Sequence, residues 1–164
     1  YQGIPFEDLL FSPTDLENWF SMALTKKLRL LKINYSSLQI RIVRPSKPDY
    51  NPPHKDVYLN RLRNAINVFI PIRGVNNKSS LSIVEGSHLW KESKIIRTKP
   101  NPKIDNISYS VPAILSMSDN SKIVLKRPKL AENEIMVFSP YCIHGGAKNL
   151  GRKTRISIEF RFIS

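Results

Sequence analysis

Two histidines and one aspartate are spaced in a way that could hold a metal ion. His54 and Asp56 flank Lys55, and His144 follows much later in the chain. Two imidazoles and one carboxylate can occupy one face of a ferrous ion and leave three coordination positions open. Open positions favour substrate chemistry over a purely structural metal. The His-x-Asp pair alone indicates only that a divalent metal could bind.

Length and composition limit what surrounds these residues. A chain of 164 residues with 41% hydrophobic content can close one sizeable core, so we predict a single domain over 1–164. No apolar run approaches a membrane span, and the first eleven residues lack the features of a signal peptide. Cys142, interpreted as a small buried residue, is a lone cysteine, which favours a reducing compartment. We therefore predict a cytoplasmic location and, because the chain starts at Tyr1 without Met, further residues upstream.

The charge is strongly positive. The 26 Lys and Arg residues exceed the 13 Asp and Glu residues by 13, enough to attract an anionic partner. These basic residues are dispersed along the chain and form no dense tail. A solvated surface and an anion-attracting rim are therefore both compatible with the composition.

An amphipathic helix is predicted near the beginning of the chain. Apolar residues recur at helical spacing from Leu16 to Leu31. They follow Ser12, a typical N-cap residue, and Pro13, which suits the first helical position. The predicted helix covers about 13–31.

Beyond this helix the hydrophobic period changes to two, which is typical of strands. Turn-forming residues separate the segments, and seven or eight short strands favour a sandwich or a jelly roll. The proline-containing stretch 99–120 is interpreted as a long loop or lid. The predicted strands cover about 38–42, 66–72, 81–84, 113–115, 123–125, 135–138 and 155–162.

The last predicted strand has two different faces. Side chains alternate along a strand, so its isoleucines and phenylalanines share one face, and the other carries Arg155, Ser157, Glu159 and Arg161. In a jelly roll with a ligand-filled interior, the polar face can line the pocket while a helix covers the apolar face. The helix 13–31 is the available cover.

Four stretches together resemble the phytanoyl-CoA dioxygenase-like family of Fe(II)/2-oxoglutarate-dependent oxygenases. These are His54-Lys55-Asp56, "AINVFIPI" at 65–72, "SLSIVEGSH" at 80–88, and "HGGAKNLGRKTRIS", which begins at His144 and contains Arg155. Each is weak alone, whereas the ordered set spanning about 39–162 is specific. The resemblance implies a cupin-like double-stranded β-helix, a mainly β jelly roll with a core over about 37–162 and the helix outside one sheet.

The resemblance also implies residue roles. His54, Asp56 and His144 would hold Fe(II), leaving positions for 2-oxoglutarate and O2. Arg155 would bind the distal carboxylate of 2-oxoglutarate, because a guanidinium offers a planar two-pronged donor. Further cosubstrate contacts are expected from Ser157 and from Asn67 or Gln39.

The reaction implied is hydroxylation of a substrate with decarboxylation of 2-oxoglutarate to succinate. Family members that halogenate lack the carboxylate at the position of Asp56, so halogenation is not expected.

The substrate is predicted to be a small anionic metabolite. Lys55, Arg61, Arg63 and Arg73 flank the predicted metal edge and could attract a carboxylate, a phosphorylated metabolite or a coenzyme A thioester. Tyr58 could face the substrate or simply pack.

Two alternatives remain open at this point. A nucleic-acid-modifying, demethylase-type oxygenase would use the positive charge and the paired arginines of the last strand, although no aromatic residues are interleaved with basic ones near the site. A cupin-like metal-binding module would keep the fold without turnover. His88 is interpreted as structural, and Gly145-Gly146 as a tight turn beside the metal. The oligomeric state is not predicted.

Overall fold

The computed structural model describes residues 14, 15, 18, 32, 33, 38–131 and 134–163. The helix predicted over 13–31 lies outside the described residues, except for Thr14, Asp15 and Asn18, which are helical. Within the described part of the chain, no helix has the length and apolarity that crossing a membrane requires.

The described residues form nine strands and four short 3-10 turns, which confirms the mainly β prediction. The turns are Asp56–Tyr58, Asn60–Leu62, Ser87–Leu89 and Glu92–Lys94. The strands are β1 (Lys32–Ile33), β2 (Gln39–Val43), β3 (Ile66–Arg73), β4 (Ile95–Arg97), β5 (Lys103–Ile104), β6 (Ile107–Ser108), β7 (Ile114–Met117), β8 (Met136–Phe138) and β9 (Arg155–Ile163).

The longest strand, β9, organises the main sheet. It pairs antiparallel with β3 along one edge and with both β2 and β1 along the other, and β8 adds to the far side of β3. In register, Gln39 of β2 and Phe69 of β3 lie opposite Glu159, while Asn67 lies opposite Arg161. Because opposed residues share a face, these side chains lie on the same side of the sheet.

Two predicted strands are not formed. The segment 81–84 contributes only isolated bridges, in which Ile83 pairs with Lys126 and with His144, and 123–125 forms neither a strand nor a bridge. The amide of Ile83 donates to Lys126 and the next amide, that of Val84, donates to Ile143. Since successive residues bond to different partners, neither ladder extends, and apolar alternation alone could not reveal this.

The stretch 99–120, predicted as a long loop or lid apart from a strand at 113–115, contains further secondary structure. Strands β5 and β6 form a hairpin, and β7 pairs with β4 in a second small sheet. Asp105 and Asn106 connect β5 to β6 with φ of 49° and 63°. These residue types tolerate the left-handed region that a two-residue hairpin turn requires, a turn signal that the sequence interpretation overlooked.

The two faces of β9 have different surroundings. On one face, Ile158, Phe160 and Phe162 are buried with Val68 of β3 in a hydrophobic cluster. On the other, Arg155, Glu159 and Arg161 line a cavity. The strand therefore separates an apolar layer from a polar interior, as its alternation predicts.

Phe160→Ala should test this apolar layer. Phe160 is 1% exposed, so removing the ring should leave a cavity and lower the free energy of unfolding by about 3–5 kcal/mol. Denaturant unfolding measures the change. Leu115→Ala is the control, because Leu115 is 58% exposed and its truncation should change stability by less than about 0.5 kcal/mol. Equal effects from both variants would contradict the assignment of the buried face.

Candidate metal centre and adjoining cavity

A pair of backbone hydrogen bonds brings the two predicted histidine ligands together. The amide of His54 donates to the carbonyl of His144 at 3.0 Å, and the amide of His144 donates back to His54 at 3.0 Å. The residue before His144, Ile143, is completely buried in a second apolar cluster beside β4 and β7. The distal histidine is thus held by the backbone bridge and by packing.

Backbone carbonyls fix the orientation of both imidazoles. Nδ1 of His54 lies 2.8 Å from the carbonyl of Pro52, and Nδ1 of His144 lies 3.0 Å from that of Cys142. A carbonyl oxygen can only accept a hydrogen bond, so each neutral ring carries its proton on Nδ1. Both Nε2 lone pairs are therefore available to a metal ion.

Asp56 supplies the third donor and presents one oxygen to the histidines. Its Oδ1 lies 3.5 Å from Nε2 of His54 and 3.8 Å from Nε2 of His144. Its Oδ2 accepts hydrogen bonds from the Asn67 amide at 2.9 Å and from two nitrogens of Arg161 at 3.0 and 2.8 Å. The second oxygen is saturated, which fixes the carboxylate with Oδ1 facing the two rings.

The protonation states suit metal binding. Burial acts to raise the pKa of Asp56, whereas the two imidazoles, when protonated, and the permanent charge of Arg161 lower it, and the pKa lies well below its ordinary value. Burial and the neighbouring His54 lower the pKa of His144 to about 4. Near neutral pH the cluster thus contains an ionised carboxylate and, at His144, a neutral imidazole.

These three residues fit a metal ion. Their ligand atoms lie within 4.8 Å of one another, and all three side chains are buried. Two imidazole nitrogens and one carboxylate oxygen form a donor set that suits ferrous iron and other first-row metals.

The two glycines after His144 let the chain pass close to the metal ligands. Gly145 and Gly146 have φ of 86° and 78°, in the left-handed region that favours glycine. A Cβ on Gly146 would overlap the ring of Pro53, and one on Gly145 would lie 3.2 Å from Nδ1 of His54. The structure assigns no turn to Gly145-Gly146, but it places these two residues directly against the segment that leads to His54.

A cavity of about 580 Å³ adjoins the three ligands and also reaches Arg155. Arg155 is 6% exposed and its guanidinium lies over the ring of Phe69, 5.5 Å from the ring centre. One of its nitrogens donates to the carbonyl of Ser79 at 3.4 Å, and another lies 3.6 Å from Glu159. Its Nε has no hydrogen-bond partner among the described residues. A buried cation with few and long contacts is suited to bind an anion.

Of the other predicted cosubstrate and substrate residues, Asn67 and Ser157 do not line this cavity. Gln39, Tyr58 and Arg61 line it. Asn67 is buried behind Asp56, to which it donates, and Ser157 is fully buried with its hydroxyl 3.5 Å from Glu159.

Three basic residues expected to flank the metal edge do not face the cavity. The backbone of Lys55 is extended, so its side chain points away from those of His54 and Asp56. Its buried ammonium lies 2.8 Å from Glu92, which also pairs with Arg97. Arg63 lines a separate shallow cavity beside Glu92, and Arg73 is exposed at the end of β3. The expectation that these three residues gather anions at the metal edge is therefore wrong.

Sequence reasoning placed two further residues on the pocket-lining face of the last strand but did not predict their contacts within the site. Arg161 binds Asp56, and Glu159 lies between Arg41 and Arg155. The alternation of β9 placed Arg161 and Glu159 on the same face as Arg155, which was the available signal. His88 is exposed and Cys142 is buried, in agreement with their structural interpretation.

Solved structures share this fold, whereas no protein-family model matches the chain and no curated protein matches its sequence. EvdO2 from Micromonospora carbonacea var. aurantiaca, complexed with 2-oxoglutarate, is 14% identical with a TM-score of 0.56, over 90% of this chain and 64% of that one. The non-heme alpha ketoglutarate dependent carbocyclase SnoK from nogalamycin biosynthesis is 14% identical with a TM-score of 0.55, over 82% and 51%. The epimerase SnoN, in complex with Fe3+, alpha ketoglutarate and nogalamycin RO, is 13% identical with a TM-score of 0.51, over 77% and 48%.

These similarities show the fold. The chain shares its fold with these three neighbours, and it spans between 48% and 64% of their length.

Gly146→Ala should disturb the metal centre more than a matched glycine substitution elsewhere. Gly86→Ala is the control, because Gly86 has a similar φ of 73° and an added Cβ there would meet no heavy atom within 4 Å. Gly86→Ala should cost about 1–2 kcal/mol of stability through backbone strain alone. Gly146→Ala must also displace Pro53 and the adjacent His54, so it should cost more and weaken metal binding at least about 10-fold. Calorimetry with Fe(II) or Mn(II) measures this, and unchanged metal affinity in Gly146→Ala would contradict it.

Proposed function

We propose that this chain carries the catalytic domain of a non-heme Fe(II)/2-oxoglutarate-dependent dioxygenase of the phytanoyl-CoA dioxygenase-like family, and that it hydroxylates a small anionic metabolite. One observation carries the proposal. The two imidazole nitrogens and Asp56 Oδ1 converge on a cavity whose wall also contains the buried guanidinium of Arg155. A metal-binding cluster and an anion site in one cavity suit a chelating keto acid with a distal carboxylate.

In this proposal His54, Asp56 and His144 hold Fe(II), and Arg155 binds the distal carboxylate of 2-oxoglutarate. With O2, the iron and cosubstrate together supply the oxidation of the substrate, and 2-oxoglutarate is converted to succinate and carbon dioxide. The protein's own contribution is to orient these groups.

The surrounding residues support that orientation. Asn67 and Arg161 hold the second oxygen of Asp56, so the carboxylate cannot rotate freely. The carbonyls of Pro52 and Cys142 hold the two rings. Phe69 beneath Arg155 excludes water from one side of the guanidinium, which strengthens its attraction for an anion. Because Asp56 occupies a ligand position, hydroxylation is favoured over halogenation.

Replacing one of the proposed metal-coordinating residues should abolish formation of the complex with Fe(II) and 2-oxoglutarate. Under anaerobic conditions, Fe(II) and 2-oxoglutarate should give the wild-type protein a weak visible charge-transfer band, and His144→Ala should show none. His88→Ala is the matched control, because His88 is exposed and lies outside the cluster. A wild-type protein that gives no band and forms no succinate would favour the non-catalytic metal-binding module.

Arg155→Met should weaken 2-oxoglutarate binding while leaving metal binding intact. A charge-assisted hydrogen-bonding interaction with a carboxylate contributes about 1.5–3 kcal/mol, so the Kd for 2-oxoglutarate should rise roughly 10- to 150-fold. Anaerobic titration of the metal-loaded protein measures both affinities. Arg152→Met is the control, because Arg152 is an exposed arginine on the turn before β9. An unchanged Kd in Arg155→Met would contradict the assigned role.

The anionic substrate is assigned to the open end of the cavity near Arg61. Arg61 and Tyr58 line this cavity, and Arg61 is exposed enough to meet an incoming molecule. Burial and the nearby Asp56 raise the pKa of Tyr58, so its hydroxyl remains protonated and can donate to a substrate oxygen.

Charge reversal at two neighbouring arginines should show whether the substrate meets the charge that lines this cavity or basic charge elsewhere on the surface. With carboxylate and phosphorylated metabolites as stimulants of succinate formation, Arg61→Glu should raise KM about 3- to 10-fold, since an exposed charge acts mainly on association. Arg63→Glu should change KM little, because Arg63 lines the other cavity. Equal kinetics for both variants would contradict the assignment. Stimulation by single-stranded DNA or RNA instead of small anions would favour the nucleic-acid-modifying alternative.

A further inference from the structure

Three charged side chains meet in the wall of the cavity. Glu159 lies between two arginines, with one carboxylate oxygen 3.3 Å from Nε of Arg41 and the other 3.6 Å from Arg155. All three side chains line the cavity that contains the metal ligands. Glu159 and Arg41 are partly buried, with side-chain exposures of 21% and 15%, and that of Arg155 is 8%.

The two arginines hold Glu159 unequally. The contact with Arg41 meets hydrogen-bond geometry, whereas no hydrogen bond joins Arg155 to Glu159 at 3.6 Å. Glu159 thus compensates the charge of Arg155 without occupying its hydrogen-bonding positions. Arg155 keeps an Nε that has no partner among the described residues.

The charges of this group favour one further anionic group. Arg41 and Arg155 carry two positive charges and Glu159 one negative charge, so the trio has a net charge of +1. Burial and the neighbouring arginines act to lower the pKa of Arg155, and the negative charge of Glu159 opposes this. An incoming carboxylate at Arg155 would therefore be attracted by the arginine and repelled by Glu159.

We propose that Glu159 is an internal competitor for the cosubstrate. It balances the charge of Arg155 while the cavity lacks 2-oxoglutarate and is drawn to Arg41 when the distal carboxylate binds. This inference rests on the proposed function and names two positioning residues for it. Glu159 lowers the affinity for 2-oxoglutarate, a five-carbon dicarboxylate. Arg41 restores part of that affinity, because its ion pair with Glu159 keeps the carboxylate of Glu159 away from Arg155.

The proposed role of Glu159 predicts that its removal changes the affinity for 2-oxoglutarate in an unusual direction. Removing a polar residue beside a ligand normally weakens binding, whereas Glu159→Gln should tighten 2-oxoglutarate binding about 10-fold. Arg41→Met should weaken binding about 10-fold, because Arg155 is then the arginine with which Glu159 pairs and the incoming carboxylate must compete with Glu159 for it. The double variant Arg41→Met/Glu159→Gln should bind more tightly than Arg41→Met.

The experiment is an anaerobic calorimetric titration of the Mn(II)-loaded protein with 2-oxoglutarate, which requires no turnover. The matched ligand is 2-oxopentanoate, which has the same carbon chain without the distal carboxylate, and its affinity should not change in Glu159→Gln. Glu85→Gln is the control variant, since Glu85 forms an exposed ion pair with Lys126. Arg41→Met provides an independent test if Glu159→Gln does not fold.

The outcomes separate this inference from the proposed function. Tighter binding of 2-oxoglutarate alone in Glu159→Gln supports the inference. Wild-type binding of 2-oxoglutarate with equal or weaker binding in Glu159→Gln overturns the inference and leaves the proposed function standing. A wild-type protein that binds Mn(II) but no 2-oxoglutarate overturns both.

Discussion

Compensation of buried charge on the inner face of β9 is the constraint on which the site depends. Arg155 and Arg161 enter the interior of the protein from one strand, and each must meet negative charge there. Arg161 meets Asp56, and Arg155 lies near Glu159. The first pairing fixes a metal ligand. The second is looser and leaves an arginine able to accept another anion, so one strand serves both halves of the site.

The metal centre also depends on contacts that carry no charge. A two-way backbone hydrogen bond joins His54 to His144, and carbonyl groups set the direction of both rings. The partners in these contacts are main-chain atoms, so substitutions of the surrounding side chains can alter them only by moving the backbone. Gly145 and Gly146 make that backbone path available, because a larger residue at either position would meet the Asn51–Pro53 segment.

Much of this arrangement could be predicted from sequence because it follows from alternation. The two faces of β9, the polar position of Asn67 and the grouping of His54 with Asp56 all depend on a period of two. The partners of these residues could not be predicted in the same way. Asn67 and Arg161 meet Asp56 through strand register, and register is set by tertiary packing. The isolated bridges of Ile83 and the hairpin at Asp105-Asn106 likewise depend on pairings that hydrophobic patterns do not encode.

The direction of Lys55 has a consequence for the His-x-Asp motif itself. The middle residue of such a motif is usually written as a position open to any amino acid. Here the middle residue is Lys55, whose ammonium is fully buried and lies against Glu92. Burial alone would raise the pKa of Glu92, but Lys55 and Arg97 hold that pKa below its ordinary value. A neutral residue at position 55 would leave Glu92 with Arg97 alone, and a neutral residue at 92 would leave a buried ammonium without its counterion. The ion pair between Lys55 and Glu92 therefore fixes the segment that carries His54 and Asp56 from the side opposite to the metal ligands. A motif search that ignores position 55 overlooks this contact.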